Sequence, residues 1–157
     1  RDFGACFELR LPVSAATSMP VEPSETVSVR SPSSLVGHSV LIIEDDQSIV
    51  NLLQIALGAR GATVLVASDV TQLNEVLSKG PFNSALVDLS PIQHAPRLEL
   101  DKLRLAYPEL RVVIISGSAK GPSQDVLDCA SAWIRKPFDV GEIVGALLGS
   151  ASVNAAQ

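Results

Sequence analysis

Val40-Leu41-Ile42-Ile43-Glu44-Asp45-Asp46, four apolar residues running straight into three acids, is the stretch that decides how this chain folds. The apolar run has strand length and no polar alternation, so both of its faces must be covered. After it, Ile49, Leu52, Leu53, Ala56 and Leu57 recur at i, i+3, i+4, i+7 and i+8. That spacing predicts one face of a helix over residues 47–60, ended by Gly61. A buried strand that hands carboxylates to a helix at its carboxyl end is a unit of an open α/β sheet.

The same alternation continues to the end of the chain. Residues 63–67, 84–87, 112–115 and 132–134 read as further strands. Leu73, Val76 and Leu77 mark a second helix closed by Gly80, and residues 97–106 and 123–129 a third and a fourth. In the last helix Asp139 can act as the cap, with Glu142 reaching back to it. Val140, Ile143, Val144, Leu147 and Leu148 form its buried stripe. Strands apolar on both sides and alternating with amphipathic helices imply a doubly wound, five-stranded parallel sheet. Right-handed crossovers favour the order 2-1-3-4-5.

The flanks differ. Residues 1–12 contain Cys6-Phe7-Glu8-Leu9-Arg10-Leu11, which alternates apolar and charged until Pro12 and reads as one strand lacking its sheet partners. Residues 13–37 are rich in Ser and Pro and read as a flexible linker. Residues 38–150 form the domain, and 151–157 a tail. Because the chain begins with Arg1, a fragment of a longer protein is expected. It is 46% hydrophobic and 18% charged, enough for a packed core. A net charge of -5 argues against a nucleic-acid surface or an anionic membrane surface. No apolar run approaches the ~18 residues of a membrane helix. Cys6 and Cys129 have neither metal-type nor disulfide-framework spacing, which suits a reducing, cytoplasmic compartment.

In such a sheet ligands bind beyond the strand ends where the winding reverses, here between the first and third strands. The first ends in Glu44-Asp45-Asp46 and the third in Asp88. Like charges ~4 Å apart repel by several kcal/mol, so a hard divalent cation, Mg²⁺, is the expected partner. Lys136 follows the fifth strand and Ser116 ends the fourth. A carboxylate nucleophile, a divalent cation, a lysine and a hydroxyl together suit phosphoryl transfer.

These four segments, residues 40–46, 84–88, 112–117 and 133–138, resemble the core motifs of two-component receiver domains. The resemblance implies that Asp88 is the phosphoacceptor, with Asp45 a direct metal ligand, Glu44 its acidic neighbour and the Ser90 backbone carbonyl completing the shell. It implies that Lys136 binds the phosphoryl group, that Ser116 is the switch hydroxyl and Trp133 the switch aromatic, and that Pro137 follows a cis bond. Asp46 reads as a helix cap, Cys129 as a packing residue, and His38 and His94 as plain loop residues. Residues 4–12 resemble the closing strand of a histidine-kinase ATP-binding domain, which would make the parent a hybrid histidine kinase with a C-terminal receiver. The implied partner is a histidine kinase phosphodonor, in the same chain or a separate one, or a histidine phosphotransfer protein. Two rivals stand beside this reading. A pseudo-receiver would only bind protein, and an aspartyl phosphatase needs an acid two residues after its nucleophile, where this chain has Ser90.

Overall fold

A computed structural model describes residues 34–118 and 120–150. The expected strand within residues 1–12, nearly all of the linker and the tail lie outside the described residues. Five strands, β1 (Ser39–Ile43), β2 (Thr63–Ala67), β3 (Ser84–Asp88), β4 (Arg111–Ser116) and β5 (Ala132–Arg135), form one parallel sheet in the order β2-β1-β3-β4-β5. The helices are α1 (Gln47–Gly58), α2 (Val70–Leu77), α3 (Pro96–Ala106), α4 (Gln124–Leu127) and α5 (Val140–Leu148). A short 3-10 turn, Ser90–Ile92, follows β3. Among the described residues no helix is long and apolar enough to cross a membrane.

Side chains alternate across each strand, so one sheet produces two cores. Leu41, Ile43, Ala85, Val87, Val112 and Ile114 pack against α2, α3 and α4. Val40, Ile42, Leu86, Val113, Ile115 and Ile134 pack against Leu53 and Leu57 of α1 and Ile143, Val144 and Leu147 of α5. The caps follow local chemistry. Asp46 accepts from the backbone N–H groups of Ser48 and Ile49 at the start of α1, and Asp139 accepts from that of Glu142 at the start of α5. The return bond expected from the Glu142 side chain is not formed.

The buried face of α1 also differs from the expected one. Val50, Leu53 and Leu57 are its buried residues, whereas Leu52 is 50% exposed. Spacing alone places Leu52 and Leu53 equally well; contact with β1 and α5 selects Leu53. The folded unit also starts earlier than His38. Leu35 is fully buried in the α1/α5 core, and its N–H donates to the Arg60 carbonyl at 2.8 Å.

Two arginines of α3 hold the four-residue α4. Arg97 bonds both carboxylate oxygens of Asp101 at 3.0 and 2.9 Å, and its Nη1 donates to the Asp125 carbonyl at 3.0 Å. Arg104 donates to the Asp128 carbonyl at 3.4 Å. Cys129 is buried there, its thiol 3.6 Å from Asp101 Oδ1. The hydrogen bond from Arg97 holds the Asp101 carboxyl below the usual carboxylate range.

Two measurements check this account. Leu35→Ala should lower stability by about 2–5 kcal/mol in urea denaturation, as for a core leucine, while Val36→Ala should change it by less than about 0.5 kcal/mol. Equal effects would return the domain boundary to His38. Because the folded Asp101 pKa is depressed, its pairing with Arg97 stabilises at neutral pH. That contribution fades as pH falls from about 3.9, the unfolded value, through the lower folded one. Carboxyl NMR should show Asp101 titrating below about 3.9 and moving upward in Arg97→Ala.

Candidate functional site

The carboxyl ends of β1, β3, β4 and β5 meet at one edge of the sheet. Ile43 pairs with Val87, so Glu44 and Asp88 are the next residues on neighbouring strands. Asp88 pairs with Ile115, and Ser116 with Arg135, which brings Lys136 to the same edge. The Lys136–Pro137 peptide bond is cis, as is Gly80–Pro81.

Lys136 Nζ lies 2.7 Å from Asp88 Oδ2 and 2.9 Å from Glu44 Oε2. Both acids are nearly inaccessible, Glu44 at 1% and Asp88 at 7% exposure. Glu44 also accepts the Asp46 backbone N–H at 3.1 Å, and Asp88 Oδ1 accepts that of Ser90 at 3.4 Å. Burial pushes the Glu44 carboxyl above its ordinary pKa, more than the bonds from Lys136 and Asp46 pull it down. Burial by itself would lower the Lys136 ammonium, but its bonds to Asp88 and Glu44 outweigh this and hold its pKa up.

Asp45 is exposed at the mouth of this pocket. Carboxylate oxygens of Glu44, Asp45 and Asp88 lie within 4.8 Å of one another. Three hard oxygen donors facing one ammonium leave negative charge uncompensated, and that donor set fits a hard divalent cation. The Ser90 carbonyl is engaged in the 3-10 turn, accepting the Gln93 N–H at 3.3 Å, and one of its two lone pairs stays free.

Ser116 is buried beside the acids, but its hydroxyl accepts the Ser118 N–H at 3.2 Å, and its carbonyl accepts the Lys136 N–H at 2.9 Å. The structure makes no hydrogen bond from this hydroxyl to Asp88. Trp133 packs against the α2/α3/α4 core, and its buried indole Nε1 has no hydrogen-bond partner among the described residues. Gly121, at φ +71°, lies against the ring so closely that a Cβ there would sit 3.0 Å from it. Sequence reasoning did not foresee the Glu44–Lys136 contact. The residues are 92 positions apart, and their shared edge of the sheet is the only signal that joins them.

No protein-family model matches the chain. An NtrX-like response regulator of Rickettsia felis is 34% identical over 113 residues, covering 67% of this chain and 23% of that protein. A response regulator receiver protein of Anaeromyxobacter sp. is 32% identical over 105 residues, covering 67% of this chain and 42% of that protein. This chain therefore spans less than half the length of either relative. Among solved structures, a response regulator protein from Burkholderia pseudomallei superposes with a TM-score of 0.63 at 25% identity, covering 70% of this chain and 66% of that one. That crystal contains a phosphorylated aspartic acid, a calcium ion and citrate.

The ammonium's hold on Glu44 can be measured. In Lys136→Met, without divalent cations, the Glu44 carboxyl should titrate higher than in the wild type, since it loses an adjacent opposite charge. Carboxyl-carbon NMR reads the shift directly, and an unchanged midpoint would show that Lys136 does not hold Glu44.

Proposed function

Because this chain carries a response-regulator receiver domain, we propose that Asp88 accepts a phosphoryl group from a phosphohistidine. The single observation behind this reading is the short contact from the Lys136 ammonium to a buried Asp88 carboxylate that shares its pocket with Glu44 and Asp45. A carboxylate held in one orientation by a lysine is a poised nucleophile, and the same ammonium can balance charge on the incoming phosphoryl oxygens. An Asp88 oxygen attacks phosphorus, the P–N bond breaks, and the imidazole leaves with the electron pair and takes a proton from solvent.

Asp45 and Asp88, with Glu44 and the Ser90 carbonyl, would hold Mg²⁺. The cation would offset their charge and that of the phosphoryl oxygens. The calcium ion and phosphorylated aspartic acid of the Burkholderia pseudomallei protein support both parts of this assignment. Ser116 would leave Ser118 and turn to the new phosphoryl group, and Trp133 would repack in response. The phosphoryl group has to favour the rearranged state for this to signal. The N-terminal residues 1–12 would place the receiver behind a kinase ATP-binding domain in a cytoplasmic hybrid histidine kinase. The donor would be that kinase or a histidine phosphotransfer protein. The presence of Asp45, Asp88, Ser116 and Lys136 together counts against a purely protein-binding role.

Incubation with acetyl phosphate and Mg²⁺ should add one phosphoryl group, detected by intact-protein mass spectrometry. Asp88→Asn should abolish labelling, chelation of Mg²⁺ should suppress it, and Lys136→Met should slow it by about 10²–10³-fold, as when one charge-stabilising donor is lost. Labelling that persists in Asp88→Asn would remove Asp88 as the acceptor. Failure to label from acetyl phosphate and from phosphohistidine donors alike would favour the protein-binding reading. Trp133 is the only tryptophan, so beryllofluoride should change its emission in the wild type and leave it unchanged in Ser116→Ala. If beryllofluoride binds and the wild-type emission stays the same, the Ser116–Trp133 route fails.

A further inference from the structure

Helix α1 is the only α-helix among the described residues without a charged residue, Gln47-Ser48-Ile49-Val50-Asn51-Leu52-Leu53-Gln54-Ile55-Ala56-Leu57-Gly58. Its solvent face is also apolar in part. Five large apolar side chains are exposed among the described residues, and three of them lie along α1 or at its end: Leu52, Ile55 at 74% and Val36 at 79%. Leu52, Ile55 and Ala59 follow i, i+3, i+7 spacing and share one face. At the far end of that face the strip runs into a groove of about 460 Å³ lined by Ser34, Val36, Gly58, Ala59, Arg60 and Gly61. Contiguous exposed apolar surface of this kind marks a contact site.

The groove is where residues 1–33 join the domain. Leu35 is anchored in the core and to the Arg60 carbonyl, and Ser34 forms part of the groove wall. We propose that Thr26-Val27-Ser28-Val29-Arg30 lies back along α1 and covers Leu52 and Ile55 with the side chains of Val27 and Val29. In an extended chain those two valines share a face at a spacing of about 7 Å, close to the roughly 5–6 Å between residues three apart on a helix. The reach is sufficient. Leu52 lies about 9 Å up the helix axis from Gly58, while the five to seven residues from Ser34 back to Val29 and Val27 span up to about 17–25 Å.

The occupant follows from two further observations. An uncharged helix face offers nothing to a partner chosen by charge, and it requires no ion to be stripped of water when a valine pair settles on it. A segment tethered beside the groove also meets the strip at millimolar effective concentration, so a small apolar contact is enough to hold it. This contact does not depend on phosphoryl transfer.

The full 157-residue chain with methyl-labelled Ile, Leu and Val tests this by NMR. Cross-peaks should join the Ile55 δ-methyl to the methyls of Val27 and Val29. In Val27→Asp/Val29→Asp they should be lost and the Ile55 methyl should shift, while core methyls such as Ile114 stay in place. Ile55→Asp, a change at an exposed position, should leave the fold intact and lower the heteronuclear NOE of residues 26–30. Absence of the cross-peaks in a sample with intact core resonances overturns the proposal. So does finding them only between differently labelled molecules, which would make a second copy the occupant.

Discussion

One ammonium between two buried carboxylates organises the functional edge of this domain. At ~4 Å two carboxylates repel by about 4 kcal/mol at the effective dielectric of a protein surface, and Glu44 and Asp88 stand on neighbouring strands, nearly shielded from water. Lys136 reaches both. Three conditions must hold for it to do so: β1 and β3 must be adjacent, β4 must lie next to β3, and β5 must end level with β4. The register supplies each, down to the pairing of Ser116 with Arg135 just before Lys136. The winding of the sheet and the charge of the pocket are therefore one constraint seen at two scales.

The strand alternation that builds two cores also sorts the functional side chains. Asp88 continues the parity of Leu86, which faces α1 and α5, and Glu44 and Lys136 continue that of Ile42 and Ile134. Trp133 falls on the opposite face, against the α2/α3/α4 core. Ser116, at the end of β4, continues the parity of Ile114 on that same side. The proposed chemistry and the proposed readout thus occupy opposite faces of one sheet, and the strand-end residues are where they touch. On the α2/α3/α4 side the α3 arginines donate to the Asp125 carbonyl of α4 and the Asp128 carbonyl at its cap, so a four-residue helix is held by its neighbour more than by its own length.

The buried indole N–H of Trp133 belongs to this picture. Among the described residues it has no acceptor, and Gly121, in the loop that follows Ser116, lies against the ring. Glu44 and Asp88 each accept two hydrogen bonds, one from Lys136 and one from a backbone N–H.

Much of this was legible in the residues themselves. Apolar runs ending in acids, helix-period stripes, and Asp46 and Asp139 before helices all report local preferences, so the elements and their order could be read without coordinates. The site acids could be read too, because in a parallel sheet the strand ends are where ligands bind. What the chain could not show by itself was any choice between locally equal alternatives. Leu52 and Leu53 fit the same helical period, and only contact with the core buries one and exposes the other. Glu44 has the chemistry of a cation ligand, but tertiary proximity adds Lys136 as its partner across 92 positions. Leu35 sits in a stretch of Ser and Pro that reads as linker, and it is buried because β1, α1 and α5 leave a space its side chain fills. Periodicity and propensity act over a few residues, while burial is decided by which distant surfaces meet.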